Sequence, residues 1–123
     1  MNPRILIVDD ALFMRSMIKD ILVGSGKFDV AGEASNGLEA VAKFTDSQPD
    51  LITMDIVMPV MDGIEATKEI LRKDPSAKII ICSSLGQEPL VMESIAVGAK
   101  DFIIKPFSAD TILKTIDKVL KMK

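Results

Sequence analysis

The stretch Arg4-Ile5-Leu6-Ile7-Val8-Asp9-Asp10 decides how the rest of the chain is read. Four consecutive apolar residues, three of them β-branched, are too few for a typical helix and show no polar alternation. They predict a strand covered on both faces, as the central strands of a parallel sheet are. Two acids end the run. Beyond them Met14, Met17, Ile18, Ile21 and Leu22 recur at spacings of three and four, which is one apolar face of a helix.

Working outward, the same pairing of a short apolar run with a helical period recurs along the chain. Strands are expected at Arg4–Val8, Asp29–Ala34, Leu51–Met54, Ala77–Cys82 and Asp101–Ile104, most of them bounded by Asp, Gly, Pro or Ser. The last helical period is Ile112, Leu113, Ile116, Val119 and Leu120. Helix starts are written as Asn36-Gly37-Leu38-Glu39 and Asp62-Gly63-Ile64-Glu65, each with a capping residue three before a Glu. Ser108 is a third candidate cap, and Pro89 suits a first turn, where no backbone donor is needed. Stops are expected at Gly24 and Gly26, at Asp74-Pro75 and at Gly98. Strict alternation of strand and helix implies an α/β fold with a parallel sheet, helices on both faces and right-handed crossovers. Five units predict a doubly wound (βα)5 arrangement, flavodoxin-like, with strand order 2-1-3-4-5. All 123 residues are expected to form one domain.

Composition removes several function classes. At 48% hydrophobic the chain can bury a core, so disorder is not expected. No apolar run approaches a membrane span. The N-terminus, Met1-Asn2-Pro3-Arg4-Ile5, lacks the apolar region and cleavage site of a secretion signal. The single cysteine, Cys82, reads as a small buried hydrophobe and fits a reducing, cytoplasmic location. The net charge is −3, and Lys114, Lys118, Lys121 and Lys123 fall late in a helical pattern, where cations complement the helix dipole. With no Trp or Tyr to stack on bases, nucleic acid is not an expected partner. Without His, and with one Cys, zinc is not expected either, so any metal should be a hard one held by oxygen. No sustained heptad marks a dimer seam, and a monomer is expected.

Ligands of open α/β sheets bind beyond the carboxyl ends of the strands. There the sequence places Asp9 and Asp10, Asp55, Ser83 and Ser84, and Lys105. Taken singly, Asp9-Asp10 reads as a helix start, Asp55 as a loop acid, Ser83 as a turn residue and Lys105 as a surface lysine. Asp62 is accounted for by capping, and Met54, Met58 and Met61 by packing. Jointly, acids, hydroxyl and lysine follow four different strands that the expected order brings side by side. Three carboxylates in one place repel one another unless a cation joins them, and Mg²⁺ takes few carboxylates while leaving positions for phosphate oxygens. Lys105 supplies a compact positive charge and Ser83 a hydroxyl donor. Charge neutralisation and positioning are what phosphoryl transfer chiefly requires, and a carboxylate can be the covalent acceptor. By the same logic Asp10→Asn is expected to abolish Mg²⁺ binding yet raise stability in metal-free buffer.

These residues carry a resemblance. Ile5–Asp10 with Phe13-Met14-Arg15, Gly32-Glu33-Ala34-Ser35-Asn36-Gly37, Met54-Asp55, Met58-Pro59-Val60-Met61-Asp62-Gly63 and Gly98–Phe107 together span nearly the whole chain. The sequence resembles the receiver domains of two-component response regulators, most closely the free-standing ones of chemotaxis. The resemblance implies that Asp55 is the phosphoacceptor. Asp10, Asp55 and the Val57 carbonyl would ligate Mg²⁺ directly, with Asp9 acting through a bound water. Ser83 and Lys105 would grip the phosphoryl oxygens, and Lys105–Pro106 would be cis. The donor would be the phosphohistidine of a CheA-type histidine kinase. The output partner would be a flagellar or archaellar motor switch protein or its adaptor, reached through the fourth helix, fifth strand and fifth helix; a separate phosphatase is a further expected partner. Phosphate would draw Ser83 and its loop inward and let Phe102 rotate toward the interior.

Some positions depart from the common family pattern. Ser83 stands where Thr is frequent, Phe102 where Tyr is, and Ser84 where Ala is, which narrows access to Asp55. Val57 and Leu85 are apolar where polar residues often set phosphoryl lifetime, so slow self-dephosphorylation is expected. The protein is not expected to be a turnover enzyme. An aspartate-dependent phosphohydrolase would need a second acid beside its nucleophile, where Val57 stands. A flavin domain of this topology would need a Ser/Thr/Gly phosphate loop, where Asp9-Asp10 would repel phosphate.

Overall fold

The structure is a computed structural model, and it describes residues 1–122; Lys123 of the late lysine series lies outside the described residues. Five strands alternate with five helices. They are β1 (Arg4–Val8), α1 (Leu12–Ser25), β2 (Asp29–Ala34), α2 (Gly37–Ser47), β3 (Leu51–Asp55), α3 (Gly63–Lys73), β4 (Ile79–Ser84), α4 (Glu88–Val97), β5 (Asp101–Lys105) and α5 (Ala109–Leu120). All pairings are parallel and the order is β2-β1-β3-β4-β5, as expected.

Side-chain alternation along the strands splits the core in two. Leu6, Val8, Ile52, Met54, Ile79 and Ile81 face α2, α3 and α4, where Ala40, Phe44, Ile64, Ile70 and Val91 close over them. Ile5, Ile7, Leu51, Ile80 and Ile103 face α1 and α5, against Ile18, Leu22, Ile112, Ile116 and Val119. Burying one such side chain contributes about 1.5–3 kcal/mol, so continuous apolar strands are stable only when both faces are covered.

Three strands differ from expectation at their ends. β3 and β5 each extend one residue further, to Asp55 and Lys105, and β4 runs Ile79–Ser84 instead of Ala77–Cys82. The ladder sets these limits, pairing Asp55 with Cys82 and Ser84 with Lys105. Ala77 is taken by a turn, its N–H donating to the Asp74 carbonyl. The polar residues beyond the apolar runs are therefore held by the sheet itself.

The caps form with one change. Asn36 accepts from the Glu39 N–H at 2.8 Å, Asp62 from Glu65 at 2.9 Å and Ser108 from Thr111 at 3.1 Å. The returning arm of the box misses its usual target: Glu39 accepts from the Ser35 N–H, and Glu65 pairs with Lys68. Pro89 lies in the first turn of α4, and Gly26, at φ 70°, closes α1.

Candidate functional site

The reversal of strand order puts β1 beside both β2 and β3, and the site opens at their carboxyl ends. Asp9 follows β1 directly; its N–H still donates to the Ala34 carbonyl, and its side chain is buried. Asp55 is the last residue of β3 and is 7% exposed. Asp10 stands exposed at the mouth. One oxygen from each of the three carboxylates lies within 4.8 Å of the others.

Lys105, at the end of β5, reaches between the acids. Its Nζ donates to Asp9 Oδ2 at 2.8 Å and to Asp55 Oδ1 at 3.3 Å. The tighter partner is thus Asp9. Burial raises the Asp55 pKa to about 6, helped by the Asp9 charge and opposed by Lys105. Burial pulls Lys105 the other way, but its hydrogen bond to Asp9 and the two carboxylate charges outweigh that and raise its pKa. Repulsion therefore acts mainly between the two buried acids, Asp9 and Asp55. Asp10 also raises Asp55, though less than Asp9 does, so a stability gain is expected of removing the Asp55 charge as well as that of Asp10.

The Ser83 hydroxyl, on β4, is buried and has no hydrogen-bond partner. A buried hydroxyl left unpaired costs about 1–3 kcal/mol, so it is a donor held ready for an acceptor. Nearby, Ser83, Ser84, Glu88, Val91, Met92, Phe102 and Ile104 line a cavity of about 180 Å³ between α4 and β5. Phe102 is 43% exposed beside it. Val57 and Leu85 project from the β3–α3 and β4–α4 segments, both exposed, and Ser84 is exposed too. Cys82 is buried, and burial pushes its thiol up to about 12, so it is inert packing. The Lys105–Pro106 bond is cis.

Sequence reasoning missed two supports. The Thr53 hydroxyl, on β3 two residues before Asp55, is also buried without a partner. Gly63 begins α3 with its N–H on the Ile56 carbonyl at 2.7 Å, and a methyl group there would lie 2.0 Å from the Asp55 carbonyl oxygen. α3 is thus seated on the backbone of Asp55, which only a glycine permits. The Asp62-Gly63 pair signalled the cap but not this contact.

All the donors at the mouth are hard oxygens, which suits a small divalent cation and not a soft metal. Residues 5–117 match the family described as response regulator receiver domain. The chain belongs to the response regulator receiver family. Among its relatives, the chemotaxis protein CheY of Bacillus subtilis is 59% identical over 120 residues, covering 98% of this receiver and 99% of the relative. The CheY of Thermotoga maritima is 55% identical over 121 residues, covering 98% and 100%. Among solved structures, the response regulator domain of Thermotoga maritima CheB superposes with a TM-score of 0.92 at 40% identity, over 100% of this receiver and 99% of that chain. The CheY of a CheX-CheY-BeF3-Mg²⁺ complex from Borrelia burgdorferi gives 0.90 at 36% identity, over 97% and 90%. The receiver is a signalling domain related to CheY across almost its whole length, which supports a chemotaxis response regulator. None of its helices is long and apolar enough to cross a membrane among the described residues.

Proposed function

We propose that the chain is a receiver that takes a phosphoryl group onto Asp55 from the phosphohistidine of a CheA-type kinase in a Mg²⁺-dependent reaction. The observation that carries this is the convergence of Asp9, Asp10 and Asp55 with Lys105 set between two of them and an unpartnered Ser83 hydroxyl on the neighbouring strand. A carboxylate oxygen of Asp55 attacks phosphorus, and the phosphorus–nitrogen bond breaks. The electron pair stays on the imidazole nitrogen, which then picks up a proton. Mg²⁺ held by Asp10, Asp55 and the Val57 carbonyl, with Asp9 acting through a bound water, would neutralise charge on the transferring group. Lys105 holds a second positive charge beside it, and the Ser83 hydroxyl donates to a phosphoryl oxygen.

Phosphorylation adds about −1.5 to −2 charge and three acceptor oxygens. Drawing Ser83 and its loop toward that charge opens room beside β4, and Phe102 turns into the cavity it already borders. The face formed by α4, β5 and α5 then presents a different surface to a motor switch protein or adaptor. Its relation to CheY proteins supports that output, and the CheX complex of a relative supports a separate phosphatase partner. Exposed Val57 and Leu85 cannot orient an attacking water, so unaided dephosphorylation is slow.

Intact mass after incubation with acetyl phosphate tests the chemistry. The expected result is one phosphate adduct that requires both Mg²⁺ and Asp55, absent with EDTA and in Asp55→Asn. An adduct that forms without metal, or persists in Asp55→Asn, would overturn the assignment.

A further inference from the structure

The loop that carries both Asp9 and Asp10 has an unusual support. α2, α3 and α5 each begin with a side chain that caps the first turn, but α1 begins at Ala11 with no side-chain cap and no acid in its first turn. The loop's own turn is a single bond, from the Ala11 N–H to Asp9 Oδ1 at 2.9 Å. Asp9 itself is tied to the body through its N–H on the Ala34 carbonyl and its carboxylate on Lys105, and the peptide that leads on to Asp10 is held by Arg15. From one turn inside α1, its Nη1 donates to the Asp9 carbonyl at 2.8 Å, while its Nε donates to Glu33 Oε1 on β2 at 3.1 Å. Its side chain is only 15% exposed. Both bonds use the planar fork of one guanidinium, a geometry a lysine ammonium cannot reproduce. No other side chain among the described residues donates to a carbonyl of this loop.

We infer that Arg15, braced by Glu33, is a positioning residue for divalent-cation binding: it fixes the peptide between Asp9 and Asp10 and so sets where the two loop carboxylates sit relative to Asp55. This rests on the proposed reading of the acid cluster as a Mg²⁺ site. The distance of Arg15 from that role is short, because the carbonyl it holds belongs to the same peptide unit that carries Asp10. Mg²⁺ demands near-ideal octahedral geometry, whereas Ca²⁺ accepts variable coordination. A loosened loop should therefore penalise the smaller ion more. Supporting groups of this kind change metal affinity by about 10–100-fold when removed.

The test is calorimetric titration of the full chain with Mg²⁺ alone and with Ca²⁺ alone, for wild type, Arg15→Lys, Arg15→Met and the exposed control Arg72→Lys. Arg15→Lys and Arg15→Met are expected to weaken Mg²⁺ binding about tenfold and Ca²⁺ binding less than about threefold, with Arg72→Lys unchanged. The shift in the Mg²⁺/Ca²⁺ ratio is the decisive readout, since a mere loss of stability would scale both ions alike. Arg15→Lys keeps the charge and the stem, so it stays measurable if Arg15→Met unfolds. Wild-type affinity and an unaltered ratio in Arg15→Lys would overturn the inference alone. A wild type that binds neither ion would overturn the metal-site reading and this inference with it.

Discussion

Asp55→Asn should stabilise the metal-free receiver, and by an amount that depends on pH in one direction only. The folded protein raises the Asp55 pKa from 3.8 to about 6. For an acid this means that the folded state prefers the protonated form. The stability from that preference is fully present below pH 4 and is lost as pH rises through about 6. Two units correspond to about 3 kcal/mol at 1.36 kcal/mol per unit; water at the open rim roughly halves it. Asparagine keeps the shape without the charge, and the weakening effect of Lys105 is already contained in the net shift. The variant should match wild type near pH 3.5 and exceed it by about 1.5 kcal/mol at pH 7.5, which is about 6 °C in Tm for a domain of this size. Urea unfolding followed by far-ultraviolet circular dichroism in EDTA, at four pH values, measures the difference and cancels every other titrating group. Added Mg²⁺ should narrow the gap, because it stabilises the wild type in proportion to its binding. A difference that stays flat across pH, or a variant less stable than wild type at pH 7.5, would refute the picture of a buried, strained carboxylate.

Other outcomes follow from the same geometry. Ser83→Ala removes a buried unpartnered hydroxyl and should raise the stability of the unphosphorylated receiver by about 1 kcal/mol in urea, while lowering its phosphate adduct by mass; a loss of stability would mean the hydroxyl is already satisfied. Gly63→Ala forces a methyl group against the Asp55 carbonyl and should cost about 3 kcal/mol, with slower adduct formation in the folded fraction; a neutral effect would mean α3 is not seated on that strand. Val57→Asn places a polar group beside Asp55 and should speed loss of the adduct in a time course without phosphatase; an unchanged rate would remove Val57 as a determinant of lifetime.

What could be read from the chain follows its physics. The two-sided burial of β1, β3 and β4 left continuous apolar runs, so the number of strands was legible, while their order rested on the doubly wound fold that five such units suggest. Asp9, Asp55, Ser83 and Lys105 were legible because each ends such a run. The ends of β3, β4 and β5 were not, since the ladder partners of Asp55, Ser84 and Lys105 lie on other strands and leave no local pattern. For the same reason the sequence showed a lysine among the acids but not that the sheet sets its ammonium closer to Asp9 than to Asp55. Arg15 reads in sequence as one charge in a helix; its two acceptors, a backbone carbonyl and a residue of β2, exist only after folding. Contacts to backbone carry no compositional trace, which is also why the seat of α3 on Asp55 could not be seen.

The site is built from groups whose needs the protein alone leaves unmet. Asp55 is ionised at neutral pH against its environment, Ser83 keeps a buried donor without an acceptor, and Lys105 spreads one ammonium over two carboxylates. A cation at the mouth would answer the first, and the phosphoryl group proposed for Asp55 would answer the second and compete with Asp9 for Lys105. Each unmet need therefore becomes differential binding energy between the bare and the loaded receiver, and only such a difference can shift a two-state equilibrium. Bringing one uncompensated hydroxyl and one uncompensated carboxylate into full contact is worth about 2–4 kcal/mol. That is enough to move a conformer from a few per cent to dominance. The hydroxyl end of this couple borders the cavity beside Phe102, so the energy released at Asp55 is delivered where the α4–β5 surface can change.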